Sequence, residues 1–128
     1  MTEAIPSVRA DDFSAEAAIA PTEIKVRMSG NADLVTKPLL DRFLGDLHSE
    51  AARRRVPEVI VDVRPLEFMN SSCLKSFVSW IGTLEESEEP VRYRITFLSN
   101  PAMLWQKRSL HALSCFGADL VHVSALDP

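Results

Sequence analysis

The chain has 128 residues, is 46% apolar and 25% charged, and carries a formal net charge of -4. That is enough for one globular core and too little for two. An acidic balance whose longest basic run is Arg53-Arg54-Arg55 leaves no broad face for nucleic acid, and no apolar run reaches the length of a membrane span.

In chain order, residues 1–10 read as a flexible N-terminal tail: Pro6 and small polar residues dominate, with no basic-then-apolar leader pattern. A first strand is expected over Phe13 to Ile19. Ile24, Val26 and Met28 alternate with Lys25 and Arg27, which is a half-exposed strand, and Ser29-Gly30-Asn31 is expected to end it as a turn. Leu39, Leu40, Phe43, Leu44 and Leu47 then recur at helical spacing, with Asp41, Arg42, Asp46 and His48 on the outer face. Thr36 is the expected N-cap, Pro38 fits the first turn, and Arg53 to Arg55 suit the carbonyl end as solvated cations.

Val59-Ile60-Val61 and Val63 form a β-branched run of the kind that is covered on both faces. Phe68-Met69 reads as an apolar loop leading to Asn70-Ser71-Ser72. A second helix follows, with a stripe of Leu74, Phe77, Val78, Ile81 and Leu84. Its end carries Glu85, Glu86, Glu88 and Glu89, a poor match to the helix dipole, so fraying is expected there. Val91, Tyr93, Ile95 and Phe97 alternate as a strand. Asn100-Pro101 opens a third helix, containing Met103, Leu104, Leu110 and Leu113, which Gly117 ends, and Leu120 to Val123 make a last short strand. Alternation of strands with helices predicts an α/β fold with a mixed, mostly parallel sheet and crossover helices.

The usual signatures of enzymes are missing: no Gly-x-Gly-x-x-Gly, P-loop, His-Glu-x-x-His or Gly-x-Ser-x-Gly occurs, and the whole chain has four glycines. His48, His111 and His122 are scattered, and with two cysteines they lack metal-ligand spacing, so neither cofactor nor metal is expected. Cys73 and Cys115 read as free thiols of a reducing compartment, which predicts a cytoplasmic protein. Cys73, beside a helix start, reads as a small hydrophobe, with a redox sensor as the alternative. Trp80 is expected to pack at the core edge. Trp105, beside Gln106-Lys107-Arg108, is a candidate exposed contact for a partner.

One stretch concentrates the functional signal. A buried strand (Val59 to Val63) runs through Phe68-Met69 into Asn70-Ser71-Ser72-Cys73 and an amphipathic helix. Asn70 or Ser71 serves as the cap, contributing about 1 kcal/mol. Capping explains one polar residue, not the apolar approach to it. A phosphoserine there adds about -1.5 to -2 charges where the helix dipole tolerates an anion. A partner docked over the helix start would meet a dianion while the fold stayed intact.

These residues resemble the STAS domain, and within it the bacterial anti-sigma factor antagonists; the resemblance spans roughly Ile24 to Val123 and makes residues 11–128 a single STAS domain. It implies Ser71 as phosphoacceptor and Ser72 as the following hydroxyl. It also implies Asp33, in Gly30-Asn31-Ala32-Asp33, as a partner-recognition residue. The implied behaviour is a protein-binding module, not an enzyme: it binds an anti-sigma factor with serine-kinase activity when Ser71 is unphosphorylated, is released by phosphorylation, and is reset by a PP2C-type phosphatase. Two positions depart from the family's Asp-Ser-Ser/Thr-Gly turn. Asn70 replaces the acidic residue and keeps the capping geometry, and Cys73 replaces the glycine at the approach to a partner. An Asn-Ser-Ser turn also resembles phosphoprotein regulators of a cyclic-dinucleotide enzyme. An unphosphorylated scaffold subunit of a larger signalling or lipid-transport assembly is a further alternative. An enzyme using Ser71 or Cys73 as nucleophile would need a base that the sequence does not place nearby.

Overall fold

The computed structural model describes residues 4–88 and 92–125. Among these the strands are β1 (Val8–Ala10), β2 (Phe13–Ile19), β3 (Glu23–Ala32), β4 (Glu58–Asp62), β5 (Leu66–Met69), β6 (Arg94–Ser99) and β7 (Val121–Ala125). The helices are α1 (Lys37–Arg54), α2 (Ser71–Glu86) and α3 (Leu104–Gly117), with a 3-10 turn at Ala118–Leu120. The strands lie in the order β1-β2-β3-β4-β6-β7, with β5 also pairing β3. The β1–β2 and β2–β3 pairs are antiparallel and the rest are parallel. This is the mixed, mostly parallel α/β sheet that the sequence pattern predicts.

The crossovers β3-α1-β4, β4-α2-β6 and β6-α3-β7 all step in one direction across the sheet, so right-handed connections put all three helices on one face. Burial follows. The register row Ile24, Val59, Ile95 and Val121 is buried, as are Val26, Val61 and Phe97. The alternate row Lys25, Ile60, Thr96 and His122 is exposed or half-buried. The central strand β4 is therefore covered on one face rather than two. Leu40, Phe43, Leu44 and Leu47 of α1 and Phe77, Trp80, Ile81 and Leu84 of α2 fill the core. Phe77 meets Phe97 edge-on at a centroid distance of 5.8 Å.

Several expectations are corrected. Val8–Ala10 pairs with β2 and Ile5 is buried, so the sheet starts inside the stretch read as tail. The apolar side chains of Ile5, Val8 and Ala10 gain more by packing than a polar tail would. Glu89 and Val91, read into a helix end and a strand, lie outside the described residues. Gly30 does not end its strand. It sits within β3 at φ 92°, and a Cβ there would collide with the Asp12 carbonyl. This shift of register lets β3 leave β4 and continue, through Asn31 and Ala32, alongside Phe68 and Met69 of β5. The Phe68-Met69 segment, read as a loop, is thus a strand.

The end of α3 also differs. Gly117 has φ -83°, while Ala118 takes the left-handed turn at φ 46°. Glycine is needed at 117 for space, because a Cβ would run into the Val121 side chain. At the acidic end of α2, the Arg92 guanidinium donates to the Glu85 and Ser87 carbonyls at 2.8 and 2.9 Å, supplying the cation that the helix itself lacks.

Candidate functional site

Two loops at the C-terminal end of the parallel strands meet side by side. One, Asp33–Thr36, joins β3 to α1; the other, around Asn70, joins β5 to α2. The pairing of β3 with β5 brings them together, and the Asn70 N–H donates to the Ala32 carbonyl at 2.9 Å. Each loop is held by side chains. Asn70 is the N-cap of α2, its side-chain oxygen accepting from the Cys73 N–H at 2.9 Å. Asp33 Oδ1 accepts from the N–H groups of Val35 and Thr36 and from the Thr36 hydroxyl. Thr36 occupies the N-cap position of α1 as expected, but its side chain makes no capping bond to the helix. The carboxylate of Asp33 organises that turn instead.

A third link joins the loops directly. The buried Cys73 thiol donates to the Asp33 carbonyl at 3.2 Å. Burial pushes the Cys73 thiol up, with Lys37 opposing the shift. A buried, protonated thiol is a poor nucleophile or redox sensor, and this favours the small-hydrophobe reading. Lys37 of α1 reaches across to the Ser76 hydroxyl of α2 at 3.0 Å while pairing with Asp41 at 3.1 Å.

On this braced frame Ser71, the first residue of α2, is exposed, and Ser72 is half-buried. Beside them Phe68, from the apolar approach that the sequence marks, is 47% exposed, and sequence reasoning missed two more apolar side chains, Leu34 at 68% and Val35 at 78%. Two adjacent branched residues between a turn and a helix start are the signal that was available. The site therefore brings Asp33, Asn70, Ser71, Ser72 and Cys73 together. Trp105 is not part of it. Its ring is half-buried against the core with the indole N–H enclosed and unpartnered, and the residue exposed beside it is Leu104.

Another missed residue supports the site from behind. Gln106 of α3 is fully buried. Its amide nitrogen donates to the carbonyls of Val63 and Leu66 at 2.7 and 3.0 Å, and its oxygen accepts from the Asn100 N–H at 2.7 Å. It thereby pins the bend between β4 and β5 that delivers Phe68 and Asn70 to the surface. His48, placed by periodicity on an outer face, is half-buried instead. Trp80 donates to the Tyr93 hydroxyl at 2.7 Å, and that hydroxyl is also hydrogen-bonded to His48 Nδ1 at 2.9 Å. Burial lowers the His48 pKa.

Among the described residues there is no cluster of His, Cys, Asp and Glu fit to hold a metal ion, and no helix is long and apolar enough to cross a membrane.

No protein-family model and no curated protein matches the sequence. Solved structures do. The chain is similar to an anti-sigma factor antagonist from Mycobacterium paratuberculosis, with TM-score 0.64 and 18% identity over 89% of this chain and 88% of that one. It is also similar to the anti-sigma factor antagonist SpoIIAA in its unphosphorylated form, with TM-score 0.59 and 17% identity over 88% and 87% of the two chains. The class that the architecture defines is therefore the STAS fold, and the chain has that fold over nearly its whole length.

Proposed function

We propose that this protein is a phosphorylation-switched binding module of the anti-sigma factor antagonist type. Its partner is an anti-sigma factor with serine-kinase activity, which it engages when Ser71 is unmodified. The observation that carries the reading is an exposed hydroxyl at the first residue of a capped helix, flanked by the three exposed apolar side chains Leu34, Val35 and Phe68. Those side chains supply docking area, and Ser71 supplies the point of control.

The cap explains how modification can act on binding rather than folding. Asn70 is neutral, so a phosphate on the next residue meets the positive end of the helix dipole and no carboxylate from the capping position. The partner, in contrast, would have to bury a dianion against an apolar surface. Losing about 2.8 kcal/mol of contact weakens a complex a hundredfold. A PP2C-type phosphatase would restore binding. Ser72 is the second candidate acceptor, its partial burial making it less accessible. The two thiols are unpaired, which fits a cytoplasmic setting.

The test is incubation with ATP and a serine-kinase anti-sigma factor encoded beside this gene, read by intact mass and fragment mapping. The expected result is one phosphate on Ser71 and none on a Ser71→Ala variant. Absence of phosphate on either serine, with a kinase shown to be active, would sink the reading.

A further inference from the structure

The other exposed large apolar side chains among the described residues are Leu104, Phe116 and Val123, and all of them lie on α3 or β7, at the far edge of the sheet from the Ser71 corner. An open groove of about 820 Å³ runs between α3 and β7, lined by Leu104, Lys107, Arg108, His111 and Val123 among others. The described lining contains basic side chains and no carboxylate. On a chain of net charge -4 this is a local reversal of sign.

Among the described residues no strand pairs with the outer side of the edge beside this groove. The two strands that end the strand order differ in kind. β1 has three residues, includes Arg9 and follows Pro6, and short length, charge and proline are the devices that blunt an edge. β7 has five residues, Val121–Ala125, with no proline and no Lys, Arg, Asp or Glu, and all but Val121 are exposed. Among the described residues β7 pairs only with β6. Val123 and Ala125 of this edge strand line the groove themselves.

We infer that this edge is a docking site for an extended acidic segment of a partner protein, which adds to the sheet as a strand beside β7. Main-chain bonds to β7 supply affinity, and alternate side chains of the added strand face the groove. Those side chains repeat every ~6.6 Å along a strand. Carboxylates at alternate positions of an added strand therefore come opposite a helix face that carries Lys107 and Arg108. A second copy of this chain fits less well, because two-fold pairing of β7 with itself would set two cationic grooves side by side.

The full chain, isotopically labelled, is titrated by NMR with a short synthetic peptide alternating glutamate and valine, and with the same peptide carrying lysine for glutamate. Expected are saturable shifts confined to β7 and α3, slowed exchange of β7 amides, and binding weaker by roughly tenfold or more for the lysine peptide. A Lys107→Glu/Arg108→Glu variant, altered only at exposed positions, is expected to lose affinity for the acidic peptide by a similar factor while keeping its fold. No shift at β7, or equal binding of both peptides, or indifference to the charge reversal overturns the inference. So does concentration-dependent self-association that protects β7 without any peptide, since the occupant is then a second copy.

Discussion

The corner at the start of α2 and the edge along α3 and β7 each hold three large apolar side chains in water, yet their surroundings are built in opposite ways. At the corner side chains brace the backbone of both loops, through Asp33, Asn70 and the Cys73 thiol, and the available chemistry is a hydroxyl. At the edge, among the described residues, β7 pairs on one side alone, and the available chemistry is positive charge. The corner suits a rigid surface that a covalent anion can switch off. The edge suits an ungated electrostatic and main-chain contact. Exposed apolar area is common to both, so it is the polar neighbours that decide what each can do.

The comparison breaks most severely if the corner depends on nothing beneath it. Gln106→Leu leaves the carbonyls of Val63 and Leu66 and the Asn100 N–H without their partner, a loss of roughly 3 kcal/mol. Urea unfolding will read that loss. In the folded fraction NMR shifts should spread through Phe68 to Ser72, while β1 remains unchanged at Val8 to Ala10. Next in size is the docking surface itself. Leu34→Asp with Val35→Asp should weaken kinase binding by about 2 kcal/mol, roughly thirtyfold, by titration calorimetry. The same variant should bind the acidic peptide at β7 as the wild type does.

Smaller effects sharpen the account of the frame. Asn70→Ala removes the cap and should cost about 1 kcal/mol of stability. Asn70→Asp keeps the acceptor, so it should leave stability at or slightly above that of the wild type at neutral pH. The smallest effect is far from both surfaces. Because burial lowers the His48 pKa, the folded state binds that proton less readily than the unfolded chain does. The stability from neutral His48 is full above the unfolded value of 6.5 and is lost as pH falls below it toward the folded pKa. Thermal melts should show a drop across that window, reduced in His48→Gln.

Much of the fold is legible in the sequence because strand and helix periods are distinct. The alternation in Ile24, Val26 and Met28 and the stripe of Phe77, Ile81 and Leu84 each bury the face that they predict. Missed features depend on events between elements. The strand β5 has four residues and follows Pro65, too little for periodicity to register, and it exists because Gly30 redirects β3 toward it. Gln106 shares the buried stripe of Leu110 and Leu113, but nothing local shows that its amide meets two distant carbonyls. The site was half legible: the strand-to-cap-to-helix run marks Asn70 and Ser71. Leu34 and Val35 resemble core residues until the turn that Asp33 organises holds them outward.

The central claim is that modification of Ser71 controls docking at the α2 corner. Its most direct measurement is the affinity of the kinase-type anti-sigma factor for the unmodified protein and for the protein bearing a single phosphoserine at position 71, both shown to be folded. Phosphorylation is expected to weaken binding by at least about a hundredfold. Equal affinity of the two forms would contradict it.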